Sequence, residues 1–230
     1  MIAAISLAWE TIVQRRREWL AMTFGITLLY YVGLVVSVVV RLGHPPNYVT
    51  FYDWPGNVLT IIRATPSVRD MVPLILDEWL VEFGYINYAY GHGVAEWTLE
   101  IIPSRVAMTI LLGALVATVA LLQRRARSVC PRSERGAGIA TTGVGAALVG
   151  VTNVTMTWVA CCSAPSWVAG LSLIGIETSA AFSLLPYGNA MTWGGFAVLL
   201  ATAFWLARRC VAPSGPDLAL PPARLVAQDR

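Results

Sequence analysis

Residues 19–40 read WLAMTFGITLLYYVGLVVSVVV, a run without a single charge. A helix needs about 20 mostly apolar residues to cross the hydrocarbon core of a bilayer, so this run predicts a membrane span. Arg15, Arg16 and Arg17 precede it, with Glu18 between. Clustered arginines mark the cytoplasmic side of a span, so residues 1–18 are expected to be a cytoplasmic N-terminus. The whole chain agrees: of 230 residues 57% are hydrophobic and 13% charged, and the mean hydropathy is +0.64. Soluble domains carry roughly 25% charged residues.

Three more apolar stretches follow, at residues 105–123, 138–165 and 191–208. Arg124, Arg125, Arg127, Arg132 and Arg135 lie in the loop 124–137, and Arg208 and Arg209 close the last stretch. The segment 41–104 instead carries Asp53, Asp70, Asp77, Glu78, Glu82, Glu96 and Glu100. The expectation is an all-α integral membrane protein with about four transmembrane helices, both termini in the cytoplasm and a large extracytoplasmic segment. Residues 166–190 are read as re-entrant or interfacial, because a fifth span would put Arg208 and Arg209 outside. The tail 209–230 is Pro-rich and polar. All sixteen basic residues are arginine; we read this as a GC-rich, bacterial genome and the location as the inner membrane. The net charge of +3 does not argue for nucleic acid, since the arginines gather at membrane boundaries. The lipid bilayer is the expected partner, with other membrane subunits or a metal-donor protein beside it.

Within the extracytoplasmic segment, Ser67–Phe83 is apolar with acids on one flank, the pattern of a helix lying at the membrane interface. Tyr48–Trp54 and Asn87–Tyr90 supply aromatic residues of the kind found at headgroup level. His44 and His92, near Asp53 and Glu96 in sequence, could collect a metal but match no ligand spacing, and hydrogen bonding at an interface is the more usual role of such histidines.

The third stretch holds the chemistry. Cys161 and Cys162 are adjacent, followed by Ser163, Ala164 and Pro165. Thiolates are soft ligands that select copper, zinc or mercury ions, and polar groups at membrane depth are costly enough to suggest a function. Pro165 can break a helix, which would turn both sulfurs toward one ion. Met156 is a candidate outer ligand, with Asn153 and Met191 as ligands or gates. Cys130 and Cys210, both beside arginines, are candidates for a cytoplasmic acceptor. A buried cysteine also packs as a small hydrophobe, and that reading stands beside the metal one. The C-x-x-C redox spacing is absent. No catalytic triad, nucleotide loop or carboxylate dyad of recognisable spacing is present, so no enzymatic activity is expected.

From about residue 138 to 209 the chain resembles the mercuric transport protein (MerT) family. The matching order is a Gly/Ala-rich helix, Cys161-Cys162-Ser163-Ala164-Pro165, the run Val168–Gly175, the turn Leu184-Leu185-Pro186-Tyr187, and an apolar stretch ending in Phe204-Trp205 and Arg208-Arg209. The resemblance implies that Cys161 and Cys162 accept Hg(II) from outside and pass it inward. It leaves a second function class open: a non-catalytic accessory subunit of a larger membrane complex (respiratory, photosynthetic or copper monooxygenase).

Overall fold

The computed structural model describes residues 2–126, 135–154, 156–158 and 183–211, together with residues 171, 175, 177 and 180. The chain is mostly helical. Among the described residues three helices are long and apolar enough to cross a membrane: α2 (Arg16–Leu42), α5 (Pro103–Ala126) and α7 (Gly188–Val211). α6 (Arg135–Thr152) is shorter, and α1 (Ile2–Gln14) precedes them all.

Local chemistry sets the helix ends. Gly43 closes α2 in the left-handed conformation (φ 78°) and donates its N–H to the Val39 carbonyl at 2.8 Å; glycine reaches that region without steric cost. α5 begins on Pro103, whose fixed φ and missing N–H suit a first helical position.

The helices pack into a bundle with two distinct ends. In its middle, Leu112 of α5, Val149 of α6, and Phe196 and Leu199 of α7 form one buried cluster. α6 and α7 approach closely at two glycines: a Cβ on Gly195 would lie 2.9 Å from the Gly145 carbonyl, and one on Gly145 would lie 3.0 Å from the Gly195 carbonyl. Small residues of this kind let membrane helices meet backbone to backbone. At the arginine end, Ala4 of α1 packs with Val119, Leu122, Leu206 and Ala207, and Arg125 donates to the Thr11 hydroxyl at 2.9 Å.

The opposite end carries a four-stranded antiparallel sheet in the order β1 (Tyr48–Phe51), β2 (Val81–Asn87), β3 (Val94–Ile101), β4 (Met156–Trp158). The helical reading did not include it. Alternation is the physical reason it forms. In Glu96-Trp97-Thr98-Leu99-Glu100-Ile101 every second residue is apolar, which gives a strand one buried and one polar face. Trp97 and Leu99 pack with Val38 of α2 and Val154, so the sheet stands against the last turns of α2. Two short helices, α3 (Trp54–Ala64) and α4 (Val68–Leu76), join β1 to β2. The single interfacial helix expected over 67–83 is therefore a helix to Leu76 and a strand from Val81.

The third apolar stretch also departs from expectation. The expected span over 138–165 does not run on as one helix: α6 ends at Thr152 and Met156–Trp158 is a strand, while the break expected at Cys161–Pro165 lies outside the described residues. Val154-Thr155-Met156-Thr157-Trp158 is rich in β-branched and aromatic residues that fit a pleated surface better than a helix. Gly175 has a φ of +89° with open space around its Cβ position and serves as a turn.

Candidate functional site

Where α6 stops, polar side chains lock it to three other helices. Asn153 donates its amide to the Arg105 carbonyl at 2.9 Å and to the Thr109 hydroxyl at 2.6 Å, both in the first turns of α5. The Thr192 hydroxyl of α7 lies 2.7 Å from that of Thr152, and Tyr30 of α2 donates to the Gly150 carbonyl at 2.9 Å. Asn153, considered above as a ligand or gate, thus spends its N–H donors on fixing the end of α6. Three residues on, the chain enters β4, whose register is Leu99↔Met156, Thr98↔Thr157 and Trp97↔Trp158.

Cys161, Cys162 and Cys130 lie outside the described residues. The flanks of the pair are described. Trp158 ends β4 on one side, and on the other Leu171 packs with Val151 and Leu184. Both flanks sit at the sheet end of the bundle. Cys210 belongs to the last turn of α7, at the arginine end. Met156 is on β4 rather than on a helix. Met191, in the first turn of α7, is half-buried.

His44, His92, Asp53 and Glu96 are not brought together. His44 stacks on Tyr85 with ring centroids 4.5 Å apart. Asp53 caps α3 by accepting from the Gly56 N–H. Glu96 accepts from the Asn87 amide at 2.6 Å, and His92 is exposed near the tip of the β2–β3 hairpin. Among the described residues no three His, Cys, Asp or Glu side chains group so as to hold a metal ion.

One polar cluster went unread in the sequence. Glu82 on β2 and Glu100 on β3 are direct cross-strand partners, and like charges opposed in this way repel. Hydroxyls offset the repulsion: Tyr48 donates to Glu82 at 2.6 Å, Tyr52 donates to its other oxygen, and Thr98 donates to Glu100 at 2.9 Å. The Glu82 carboxylate pushes the Tyr52 phenol up to about 12, first through the hydrogen bond and then, after burial, through its charge and that of Glu100. Burial, then the bond to Glu82, raises Tyr48 further. The alternation of residues 96–101 signals the strand, but the pairing of Glu100 with Glu82 is set by the cross-strand register. These are hard oxygen ligands, unlike the soft thiols of Cys161 and Cys162.

No known protein family, curated protein or solved structure matches the chain. The likeness to the mercuric transport proteins accordingly rests on the order of motifs between residues 138 and 209.

Proposed function

We propose that this is a bacterial inner-membrane protein of four spans, with both termini in the cytoplasm, that captures a thiophilic metal ion, Hg(II) or Cu(I), on the extracytoplasmic side through Cys161 and Cys162. Arginines flank the loop end of the bundle, which supports that end as cytoplasmic. α6 is the fourth span; its 18 residues give a rise of about 27 Å, close to the thickness it must cross.

The observation that carries the reading is the pairing of Met156–Trp158 with β3. Cys161 follows Trp158 by three residues, so covalent reach alone keeps its Cα within about 11 Å of the sheet edge. The chain is back at the sheet end at Leu171. We read the pair as offered to ions outside the bilayer, because the described residues on either side of it, Trp158 and Leu171, both lie at the sheet end. Adjacent thiolates suit the low coordination numbers of Hg(II) and Cu(I), and their softness excludes the hard cations abundant outside cells.

Capture is better supported than conduction. The bundle middle is filled by Leu112, Val149, Phe196 and Leu199. Cys210 stands near the far end of the 24-residue α7, about 33 Å from its start. Cys130 and Cys210 would form a separate acceptor, reached only if the helices part.

The test is elemental analysis of protein purified gently from its own membrane, wild type beside Cys161→Ser/Cys162→Ser. Near-stoichiometric copper, mercury or zinc that disappears in the double variant is the expected result. No metal in either, with large partners co-purifying at constant ratio, would replace this reading with that of an accessory subunit.

A further inference from the structure

We infer that the base of the sheet domain, formed by β1's last residue, the α3–α4 hairpin and the turn before β2, is seated in the lipid headgroup layer. The inference rests on the helices crossing a bilayer and not on the cysteine reading. The 24 residues of α5 rise about 36 Å against a hydrocarbon core of about 30 Å. Pro103, Ser104 and Arg105 therefore stand at the boundary of that core. The domain is pinned to this turn. Ser104 donates to the Leu76 carbonyl at the end of α4, and Arg105 lies 3.8 Å from Asp77. Asn57 of α3 reaches Glu78 at 2.6 Å.

Strand register fixes the height of the remainder. Phe51 pairs with Val81, and Val81 with Ile101, two residues before α5 begins. The Tyr52 N–H donates to Leu80 and the Leu80 N–H to Ile101. This lowest row of the sheet bears Phe51, 78% exposed, beside Trp79 and Leu80, 40% and 39% exposed. The two hairpin helices bury none of their residues. They leave Leu59 and Ile62 on α3, and Val72 and Leu76 on α4, uncovered by this chain. Apolar side chains with aromatic neighbours, held at the end of a membrane span, match the headgroup–acyl boundary and its aromatic belt.

The second aromatic group, Asn87–Tyr90, is not part of this seat. Asn87 pairs with Val94, six residues above the Val81 row, or about 20 Å at ~3.3 Å per residue. It faces water at the far tip of the hairpin.

The test uses the full chain with Cys130, Cys161, Cys162 and Cys210 changed to Ser, reconstituted in phosphatidylethanolamine/phosphatidylglycerol vesicles. Nitroxides are attached at Phe51→Cys, Ile62→Cys and Leu76→Cys, with Tyr88→Cys as the distal control. Collision with oxygen relative to a water-soluble nickel chelate is expected to be several-fold higher at the three base positions than at the control. Equal ratios at all four positions would overturn the inference. So would low access to both reagents with spin–spin broadening, which would mean a second copy covers the face. A measurement on the cysteine-intact chain guards against misfolding: Trp79→Phe should lower the fraction of tryptophan emission quenched by brominated lipids. An unchanged quenched fraction would count against the seat.

Discussion

At the scale of single residues, the sheet domain and the bundle are each held by a few buried polar contacts. Tyr52 makes the cleanest case, because its phenol donates to one carboxylate, Glu82, which also accepts from Tyr48. Removing the hydroxyl in Tyr52→Phe should cost about 1 kcal/mol, the usual net worth of such a bond, read as a lower unfolding midpoint in detergent. The pH dependence has a definite sign. An unfolded tyrosine titrates near 10, and the folded Tyr52 near 12. The stabilisation is therefore complete below about pH 10 and is lost as the pH rises from there toward about 12. Over that window Tyr48→Phe/Tyr52→Phe should lose less stability than wild type. An equal loss would mean that Glu82 does not set these phenols. Asn153 gives a second test. Asn153→Leu leaves the Arg105 carbonyl and the Thr109 hydroxyl without its donors, and interhelical bonds of this kind contribute about 0.6–2 kcal/mol. A midpoint unchanged from wild type would show that the end of α6 is held by something else.

At the scale of elements, close packing between α6 and α7 depends on Gly145 and Gly195. A side chain at Gly195 would meet Val149 at 2.8 Å and the Gly145 backbone at 2.9 Å. Gly195→Val should therefore force the helices apart and cost about 1–3 kcal/mol. Gly143, two residues from Gly145 but with open space around it, is the control. Gly143→Ala should be neutral or should stabilise by up to about 1 kcal/mol through helix propensity. Equal thermal shifts for the two variants would refute the contact. What the sequence made legible also sorts by element. The uncharged run 19–40 identifies α2 because length and hydropathy alone decide it. The sheet was hidden because its strands are short and sit among stronger helix signals. Ser67–Phe83 reads as one apolar segment, yet Val81-Glu82-Phe83 already alternates. The stretch after Asn153 looked like a continuing span because its residues are apolar, while their β-branched and aromatic character pointed to a strand. The carboxylate pair could be found only through cross-strand register, which a single sequence does not carry, and the cysteine pair only through residue type.

At the scale of the whole molecule, the chain is a bundle whose two ends differ in chemistry: arginines and α1 at one, a sheet with its carboxylates at the other. The segment bearing Cys161 and Cys162 leaves from β4 and is back at Leu171, both at the sheet end. Cys210 belongs to the arginine end. An account of capture from outside follows from that asymmetry, since a thiol pair accessible to external ions needs no path through the bundle. It is tested most directly by thiol labelling in intact spheroplasts of a Cys130→Ser/Cys210→Ser variant, which retains only the adjacent pair. The account predicts that a membrane-impermeant maleimide modifies the pair from outside and that prior Hg(II) or Cu(I) protects it. Labelling only from the cytoplasmic face of inverted vesicles, or outside labelling that neither metal slows, would contradict it.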